Sequence, residues 1–431
     1  MPLKLLDQLF TPSRFRRDVC WNIGSLAVLG LSGLVINALI LTRQGPEALG
    51  VFNQVFAFFI VVSQVAVGGL QSSVLKQCSY VQSNLPECAR IVSSALILTT
   101  AAGVPVCFGL FLLRHTIGSL LESPAVALGL TFALPGLFLF SFNKVFIMAL
   151  NGLRHMRAFA IFQALRYIMI LVGVVVVIAR GWPGSHLALS LTLAEMVLFA
   201  ALIAYIRCAL FPLQFSFSPV MRAWFRRHIS FGARGFLSGV LIEMNTRVDV
   251  MMVGYFMSDA MVGLYSFAST FAEGFAQLCN VLRNNVDPLV GKAFSEGDKE
   301  RITELARKIR TTFSPLMALL GAVLVAGFPL LIGLLTSKEE NWQSWGVFAI
   351  LMGGIVLGAG YRPFIALSLQ GGRPGTFTLL TMGSVFTNAI LNISFIPWLG
   401  IFGSALATAT VYVLEVCAVI VLARRLFGIQ L

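Results

Sequence analysis

Apolar residues fill the chain in long runs, and short polar or charged segments separate one run from the next. A helix needs about 20 mostly apolar residues to cross the hydrocarbon core of a bilayer. Runs of this length fall at residues 18–42, 47–75, 88–114, 124–150, 157–179, 186–211, 229–256, 259–290, 311–336, 342–370, 375–397 and 401–425. The sequence lacks the short alternating segments that build a membrane β-barrel. The pattern therefore predicts an all-α polytopic membrane protein with about twelve transmembrane helices.

The composition agrees with this class. Hydrophobic residues make up 58% of the chain and charged residues 11%, whereas soluble proteins carry about 25% charged residues. The net charge of +13 comes from basic residues that lie between apolar runs and are not clustered with stacking aromatics, so no nucleic-acid partner is predicted. The seven cysteines form no CxxC pair and the four histidines lie far apart at span ends, so no metal site is predicted.

The distribution of Lys and Arg predicts the orientation of the spans. With a cytoplasmic N-terminus, 21 basic residues fall in inner segments and four, Arg43, Arg114, Arg180 and Lys338, fall in outer segments. Both termini are therefore predicted to be cytoplasmic. Residues 1–17 are predicted to form a cytoplasmic amphipathic N-terminus, and the spacing of apolar residues over 302–313 predicts a second amphipathic helix on the membrane surface.

The chain also repeats itself weakly at about half its length. The segment "ALGVF" at 48–52 resembles "MVGLY" at 261–265, and "ALNGLR" at 149–154 resembles "SLQGGR" at 368–373. These matches predict an N-terminal six-helix bundle at 18–211, a cytoplasmic linker at 212–228 and a C-terminal six-helix bundle at 229–431. Because six is even, the two bundles share one orientation, and in repeat transporters of this kind the substrate site lies between the halves near mid-membrane.

Charged residues lie well inside the predicted spans, and each would cost roughly 3 kcal/mol if it faced lipid at mid-depth. Most of them must therefore face one another or water. They are Lys144, Arg166, Glu195, Arg234, Glu243, Arg247, Asp249, Glu273, Arg283, Asp287, Arg362 and Glu415. The order Glu243 before Arg247, four residues apart, favours an ion pair on one helix.

Polar residues at helical spacing form a stripe along the eighth span. The stripe consists of Ser269, Glu273, Gln277, Asn280, Asn284 and Asp287. It predicts a helix face that lines a water-filled cavity, and a polar seam between helices is the alternative. A weaker stripe on the eleventh span runs through Thr381, Ser384, Asn388 and Asn392.

Basic groups around a cavity that opens inward suit an anionic cargo, and phosphate in particular, which arginine can bind in a bidentate manner. The candidate substrate-binding residues are Lys144, Arg166, Arg234, Arg247, Asn280, Arg283 and Arg362. For any single arginine a structural ion pair is an equally good interpretation. Glu243, Asp249 and Glu273 are the candidate ion-coupling residues, because a buried carboxylate can change its charge with its surroundings. A proton or sodium ion would be the coupling ion, and no other cofactor is expected.

Several segments carry a resemblance to a known family over nearly the whole chain. They are "RRDVCWNIGS", "RQGPEALGVFNQVFAF", "NTRVDVMMVGYFMSDAMVGLYSFAS", "DPLVGKAFSEGD" and "NAILNISFIPWLGIFGSALATA". These segments resemble the Wzx-type polysaccharide flippases of the multidrug/oligosaccharidyl-lipid/polysaccharide exporter superfamily, with Asp249 at the family's usual acidic position. The resemblance implies two six-helix bundles around a central cavity. It also implies ion-driven alternating access that moves an undecaprenyl-diphosphate-linked oligosaccharide from the inner to the outer leaflet.

The resemblance further implies a place in the bacterial inner membrane, in polysaccharide or lipopolysaccharide biosynthesis, with membrane lipids and a polysaccharide polymerase as partners. A cation-coupled multidrug exporter of the same superfamily is the alternative, although the six buried basic residues disfavour a cationic cargo. A membrane polysaccharide polymerase or ligase is the alternative from another class. The predicted outer loops are too short to carry catalytic groups, so no catalytic residue and no enzyme activity is predicted.

Overall fold

The computed structural model describes residues 12–215, 219–335 and 342–431, and these residues are mostly helical with no β-strand among them. The α-helices are α1 Pro12–Val67, α2 Leu70–Tyr80, α3 Leu85–Leu120, α4 Pro124–Gly152, α5 Met156–Ala179, α6 Leu189–Ala209, α7 Pro219–Phe256, α8 Asp259–Glu296, α9 Lys299–Leu335, α10 Gln343–Gly358, α11 Leu367–Gln370, α12 Pro374–Leu399 and α13 Ile401–Leu422. Short 3₁₀ turns at Gly184–Ala188 and Arg362–Phe364 and a π-turn at Ala423–Phe427 complete them.

Every predicted span coincides with helix in the described part of the chain. Helix α1 covers the first span and most of the second, and it breaks at Gly45, where φ is 88°, just before Pro46. Among the described residues, eight helices are long and apolar enough to cross a membrane, or nine if α10 and the segment Arg362–Gln370, bent by 64°, form one span. Helices α7 and α8, with 38 residues each, are also long enough to cross a membrane, but they are too polar to be counted among these eight. The protein is an all-α polytopic membrane protein.

The first compact unit comprises the described residues up to Ile36 together with Phe58–Val240. Its core is built from apolar side chains of α2, α3, α4, α5 and α6. The beginning of α7 joins this core because Met221, Trp224 and His228 fall on one helix face and are buried. Trp224 donates its indole N–H to Glu87 at 2.7 Å, so the start of α7 is fixed to α3.

The second compact unit comprises Asn37–Ala57 and Leu241–Leu431. One of its core clusters joins the ends of α8 and α13 to the beginning of α9. The predicted amphipathic helix over 302–313 is found here, but it is continuous with the ninth span. Its apolar residues Ile302 and Ile309 are buried against the protein's own core and do not lie on a membrane surface.

The chain passes between the units inside helices α1 and α7, at Ile36, Ala57 and Val240. The sequence placed the change of bundle in the linker at 212–228. The described part of that linker does not form a loop throughout, because helix α7 already begins at Pro219.

The two glycines of the internal repeat lie against each other in the second unit. A Cβ on Gly50 would overlap the carbonyl of Asp259, and a Cβ on Gly263 would overlap the carbonyl of Pro46. Asp259 follows Pro46 by the same number of residues as Gly263 follows Gly50. Each copy of the repeat therefore contacts the other through equivalent positions. Gln54 donates to Asp259 at 2.6 Å beside the crossing. The repeat therefore marks a close backbone contact between α1 and the beginning of α8.

Candidate functional site

Asp249 on α7 lies in a buried polar cluster of the second unit. Asp249 is 9% exposed. Its carboxylate accepts hydrogen bonds from Asn392 on α12 at 3.2 Å and from Thr408 on α13 at 2.7 Å. Asn388 donates to the Thr408 hydroxyl at 3.4 Å, and Tyr265 on α8 lies beside the carboxylate. Among the described residues no basic side chain forms an ion pair with Asp249.

This cluster is rich in oxygen and holds one carboxylate with no basic partner in the described chain. The side-chain oxygen Oδ1 of Asn392 is also buried, with no hydrogen-bond partner in the described chain. Burying a carboxylate without a counter-charge is costly. A proton taken up by Asp249 would remove the buried charge and lower that cost. The cluster therefore holds a carboxylate whose charge state matters to the energy of the buried site.

A second group of charges in the same unit surrounds Arg247 and Arg362. Arg247 Nη1 lies 3.9 Å from Glu273 Oε1 on α8, and the guanidinium carbon lies 5.3 Å from the Phe56 ring centre. The guanidinium carbon of Arg362 lies 4.1 Å from the centre of the Tyr412 ring. Tyr412 also interacts electrostatically with Asp249, Glu273 and Glu415, and so connects Arg362 to these carboxylates. The structure therefore gathers four of the predicted site residues in the second unit.

Both arginines keep donors that the described chain does not satisfy. Arg247 Nε and Arg362 Nη1 are buried and have no hydrogen-bond partner among the described residues. A buried donor without a partner costs about 1–3 kcal/mol. An anionic oxygen from a ligand would recover this cost, and a guanidinium group is well shaped to bind phosphate.

The polar stripe of α8 is accessible from Glu273 onward, whereas its first predicted member, Ser269, is buried. Gln277 and Asn284 are exposed, Glu273 and Asn280 are partly exposed, and the opposite face packs into the unit. The side chain of Glu273 is 44% exposed, and Asn280 donates to Gln277 at 3.1 Å. An accessible stripe of this kind on a membrane helix requires water or another polar surface beside it.

In the first unit the predicted residues are held by their own neighbours. Arg166 donates to Glu195 at 2.7 Å, and Asn143 also donates to that carboxylate, at 2.8 Å. The side chains of Arg166 and Glu195 are 12% and 2% exposed. Lys144 donates to Gln64 at 2.9 Å and also contacts Ser63. Arg166 and Lys144 therefore have protein partners, unlike the buried donors of the second unit.

The remaining predicted residues stand apart from both groups. Arg234 is exposed and donates to the carbonyl of Ser230 at 2.9 Å, within its own helix. Arg283 interacts with Asp287, one turn further along α8. The predicted ion pair between Glu243 and Arg247 is wrong. In the described chain Glu243 forms no ion pair, because the Arg247 side chain points to Glu273 on α8 instead.

Sequence reasoning missed the partners of Asp249. Asn388 and Asn392 belong to the stripe predicted on the eleventh span, and the structure shows that this stripe faces Asp249. Their four-residue spacing was the available signal. Thr408 gave none, because it lies in a segment of small residues that favours close helix packing.

The fold is that of transporters of the multidrug/oligosaccharidyl-lipid/polysaccharide (MOP) superfamily. One similar structure is an inward-facing conformation of a multidrug resistance MATE family transporter of that superfamily, 17% identical over 93% of this chain and 94% of that chain, with a TM-score of 0.76. Another is the lipid II flippase MurJ in an inward closed conformation, 16% identical over 94% of this chain and 87% of that chain, also with a TM-score of 0.76. Identities this low show the fold alone.

A family model described as polysaccharide biosynthesis protein matches residues 16–282, which is more than half of the sequence, and the chain belongs to this family. A probable low-salt glycan biosynthesis flippase, Agl15 of Haloferax volcanii, is 29% identical over 169 residues. That match covers 38% of this chain and 34% of the relative, about a third of the relative's length. The apolar helices and the fold confirm the prediction of an all-α, multi-pass membrane protein.

Proposed function

We propose that this protein is a flippase that moves an undecaprenyl-diphosphate-linked oligosaccharide from the inner to the outer leaflet of a bacterial inner membrane by alternating access. The observation that carries the proposal is the pair of buried, unsatisfied guanidinium donors of Arg247 and Arg362, beside the accessible polar stripe of α8. The donors suit the diphosphate, and the stripe suits the sugars. The lipid tail stays in the bilayer throughout.

Family membership supports the same cargo class. The fold is equally similar to a multidrug transporter and to a lipid II flippase, so it does not separate the two functions. The match to the polysaccharide biosynthesis family favours the glycan cargo. A cationic drug would find two unsatisfied guanidinium groups in the second unit, and such a site repels a cation. The multidrug exporter therefore remains the weaker alternative.

Transport is coupled to an ion gradient through the Asp249 cluster in this proposal. Asp249 has no basic partner in the described chain and is enclosed by amide and hydroxyl groups, so uptake of a proton or sodium ion changes the charge of a buried site. Such a change biases a two-state protein toward the conformation that binds the ion better. Glu273, at 3.9 Å from Arg247, is the carboxylate that responds to cargo at the guanidinium group.

The experiment follows lipid-linked repeat units after disruption of the gene. A flippase defect makes these units accumulate in the inner leaflet, and re-expression of the protein clears them. A polymerase defect instead releases single unpolymerised units at the outer surface. Repeat units that reach the outer surface at the normal rate without the protein would refute the proposal.

A further inference from the structure

A cavity of about 550 Å³ opens within the first unit, away from the charged residues described above. Its walls come from α3, α4 and α6 and from the segment that follows α6. The lining residues are Leu96, Ile97, Thr100, Phe142, Phe146, Phe199, Ile203, Arg207, Pro212, Leu213 and Phe215. Ligand cavities in proteins span roughly 300–1,000 Å³, so this one is large enough for a bound molecule.

The interior of the cavity is apolar. Phe199 makes edge contacts with Phe142 at 5.8 Å between ring centres and packs at 6.1 Å from Phe146. The one hydroxyl in the wall, Thr100, already donates to the carbonyl of Leu96. Apart from Arg207, the side chains of the wall thus suit a hydrocarbon chain.

One charge lies at the edge of this apolar space. Arg207 is in the last turn of α6, is exposed, and has no hydrogen bond or ion pair within the described ranges. Because α6 is one of the apolar helices long enough to span a membrane and Arg207 is in its last turn, we expect Arg207 at a membrane face, near lipid phosphates.

The segment after α6 is fixed over the cavity. The backbone N–H of Phe211 donates to Ile206 at 2.9 Å, and the N–H of Gln214 donates to the Ser93 hydroxyl on α3 at 2.8 Å. Phe211 is 3% exposed, so this segment is packed into the unit. The cavity wall is therefore built by specific contacts of the chain.

We propose that this cavity binds one anionic phospholipid of the bilayer, with an acyl chain between Phe142, Phe146 and Phe199 and the phosphate on Arg207. The volume matches one fatty-acid chain, and the lining contains none of the residues assigned to the proposed cargo. Burial against the apolar wall stabilises the acyl chain, and the charge of Arg207 attracts the phosphate. It does not depend on the proposed flippase function.

The test measures lipid retained by the purified full-length protein in native mass spectrometry. The protein is incubated with phosphatidylglycerol, phosphatidylcholine or a polyprenyl phosphate. The wild type is expected to retain phosphatidylglycerol in preference to both others. Arg207→Gln is expected to lower that retention by about fivefold, as for the loss of one basic side chain near a lipid phosphate. Arg154→Gln is the matched control, since it removes an exposed charge from a loop at the same end of the bundle, outside the cavity.

A second variant tests the cavity itself. Ile203→Trp fills the apolar space and leaves Arg207 in place, so it is expected to lower retention of both phospholipids, with its thermal midpoint measured to check folding. Equal retention in Arg207→Gln and Arg154→Gln would overturn the proposal. Unchanged retention in a folded Ile203→Trp, or preferential retention of the polyprenyl phosphate by the wild type, would also overturn it.

Discussion

Arg166 and Arg247 look alike in the sequence, since each is a single arginine in the middle of an apolar span. The structure separates them. Arg166 has a close carboxylate at 2.7 Å in a nearly closed site, whereas Arg247 has a distant one at 3.9 Å and a buried nitrogen with no partner in the described chain. Arg166 is therefore expected to contribute to stability, and Arg247, in the proposed function, to cargo binding, so the two residues predict different consequences of mutation.

Replacement of Arg247 or Arg362 by Gln is expected to reduce transport by at least tenfold while the protein inserts normally. Neither side chain has a close ion pair to lose, but in the proposed function each supplies a donor to the diphosphate, and one charged hydrogen bond is worth about 1.5–3 kcal/mol. Polymer output and the amount of protein in the membrane would be measured together. Arg180→Gln, at an exposed helix end, is the control. Normal output from both variants would show the two residues to be structural.

Arg166→Gln is expected to destabilise the first unit by about 3–5 kcal/mol, because it leaves the Glu195 carboxylate buried without its charge partner. The thermal midpoint and the yield of folded protein would both fall. The double variant Arg166→Gln/Glu195→Gln removes both charges and is expected to recover most of the loss. A single variant as stable as the wild type would mean that the pair contributes nothing to folding.

Asp249→Asn is expected to abolish the response of transport to an imposed proton or sodium gradient. The amide keeps the size of the side chain but cannot take up a proton or offer a negative charge to a cation. Proteoliposomes with and without the gradient give the measurement. Glu243, the third candidate ion-coupling residue, contacts neither polar group through an ion pair or a side-chain hydrogen bond in the described chain, so Glu243→Gln is expected to respond as the wild type does. The assignment fails if Asp249→Asn still accelerates when the gradient is applied.

The sequence predicted that Asp249 and Arg247 lie deep in the membrane, but it did not predict which residues they contact. Asp249 was predictable as a buried acid, since no surface charge lies in the middle of an apolar run. Its contact with Asn392 joins residues 143 positions apart, and local spacing contains no information about such a pair. The same limit explains the wrong pairing of Arg247, because helix periodicity favours Glu243 and cannot show that Glu273 on the next helix is within reach.

At the scale of the helices, the spans themselves were predictable because the run of apolar residues is set by bilayer thickness. The exact connections were not. The break at Gly45 and the bend between α10 and Arg362–Gln370 follow from backbone geometry at glycine and proline, and the continuity of the 302–313 segment with α9 follows from packing on the core. The repeated glycines indicated an internal repeat, but only the structure shows that Gly50 and Gly263 lie at the contact between α1 and α8.

Gly263→Ala tests that contact. The new Cβ would overlap the backbone carbonyl of Pro46, which no rotamer change can relieve, so α1 and α8 must separate. Overpacking of this kind costs about 1–3 kcal/mol, and the thermal midpoint is expected to fall accordingly. Gly274→Ala on the same helix is the matched control, because a Cβ there meets nothing within 4 Å. Equal midpoints for the two variants would show that the contact tolerates a side chain.

At the scale of the whole molecule, the bias of basic residues predicts which side of the membrane each loop faces. A bias of 21 against four in favour of one side is strong, and Lys and Arg in short loops determine orientation more than acidic residues do. On this prediction the loop before α3 is cytoplasmic and the loop between α7 and α8 is outside. Both loops contain an exposed serine, Ser83 and Ser258, and neither hydroxyl caps a helix.

Ser83→Cys and Ser258→Cys therefore form a matched pair of nearly isosteric variants for measuring orientation. In intact cells a membrane-impermeant maleimide is expected to label the cysteine at 258 and not the one at 83, and permeabilised cells should label both. The wild type gives the background from its own cysteines, of which Cys208 and Cys417 are exposed in the described part of the chain. The reverse labelling pattern would show that the orientation is opposite to the predicted one. In that case the diphosphate of the proposed cargo would reach Arg247 and Arg362 from the opposite leaflet. Direction of transport and orientation are thus linked, so this labelling determines whether the proposed inner-to-outer movement is possible.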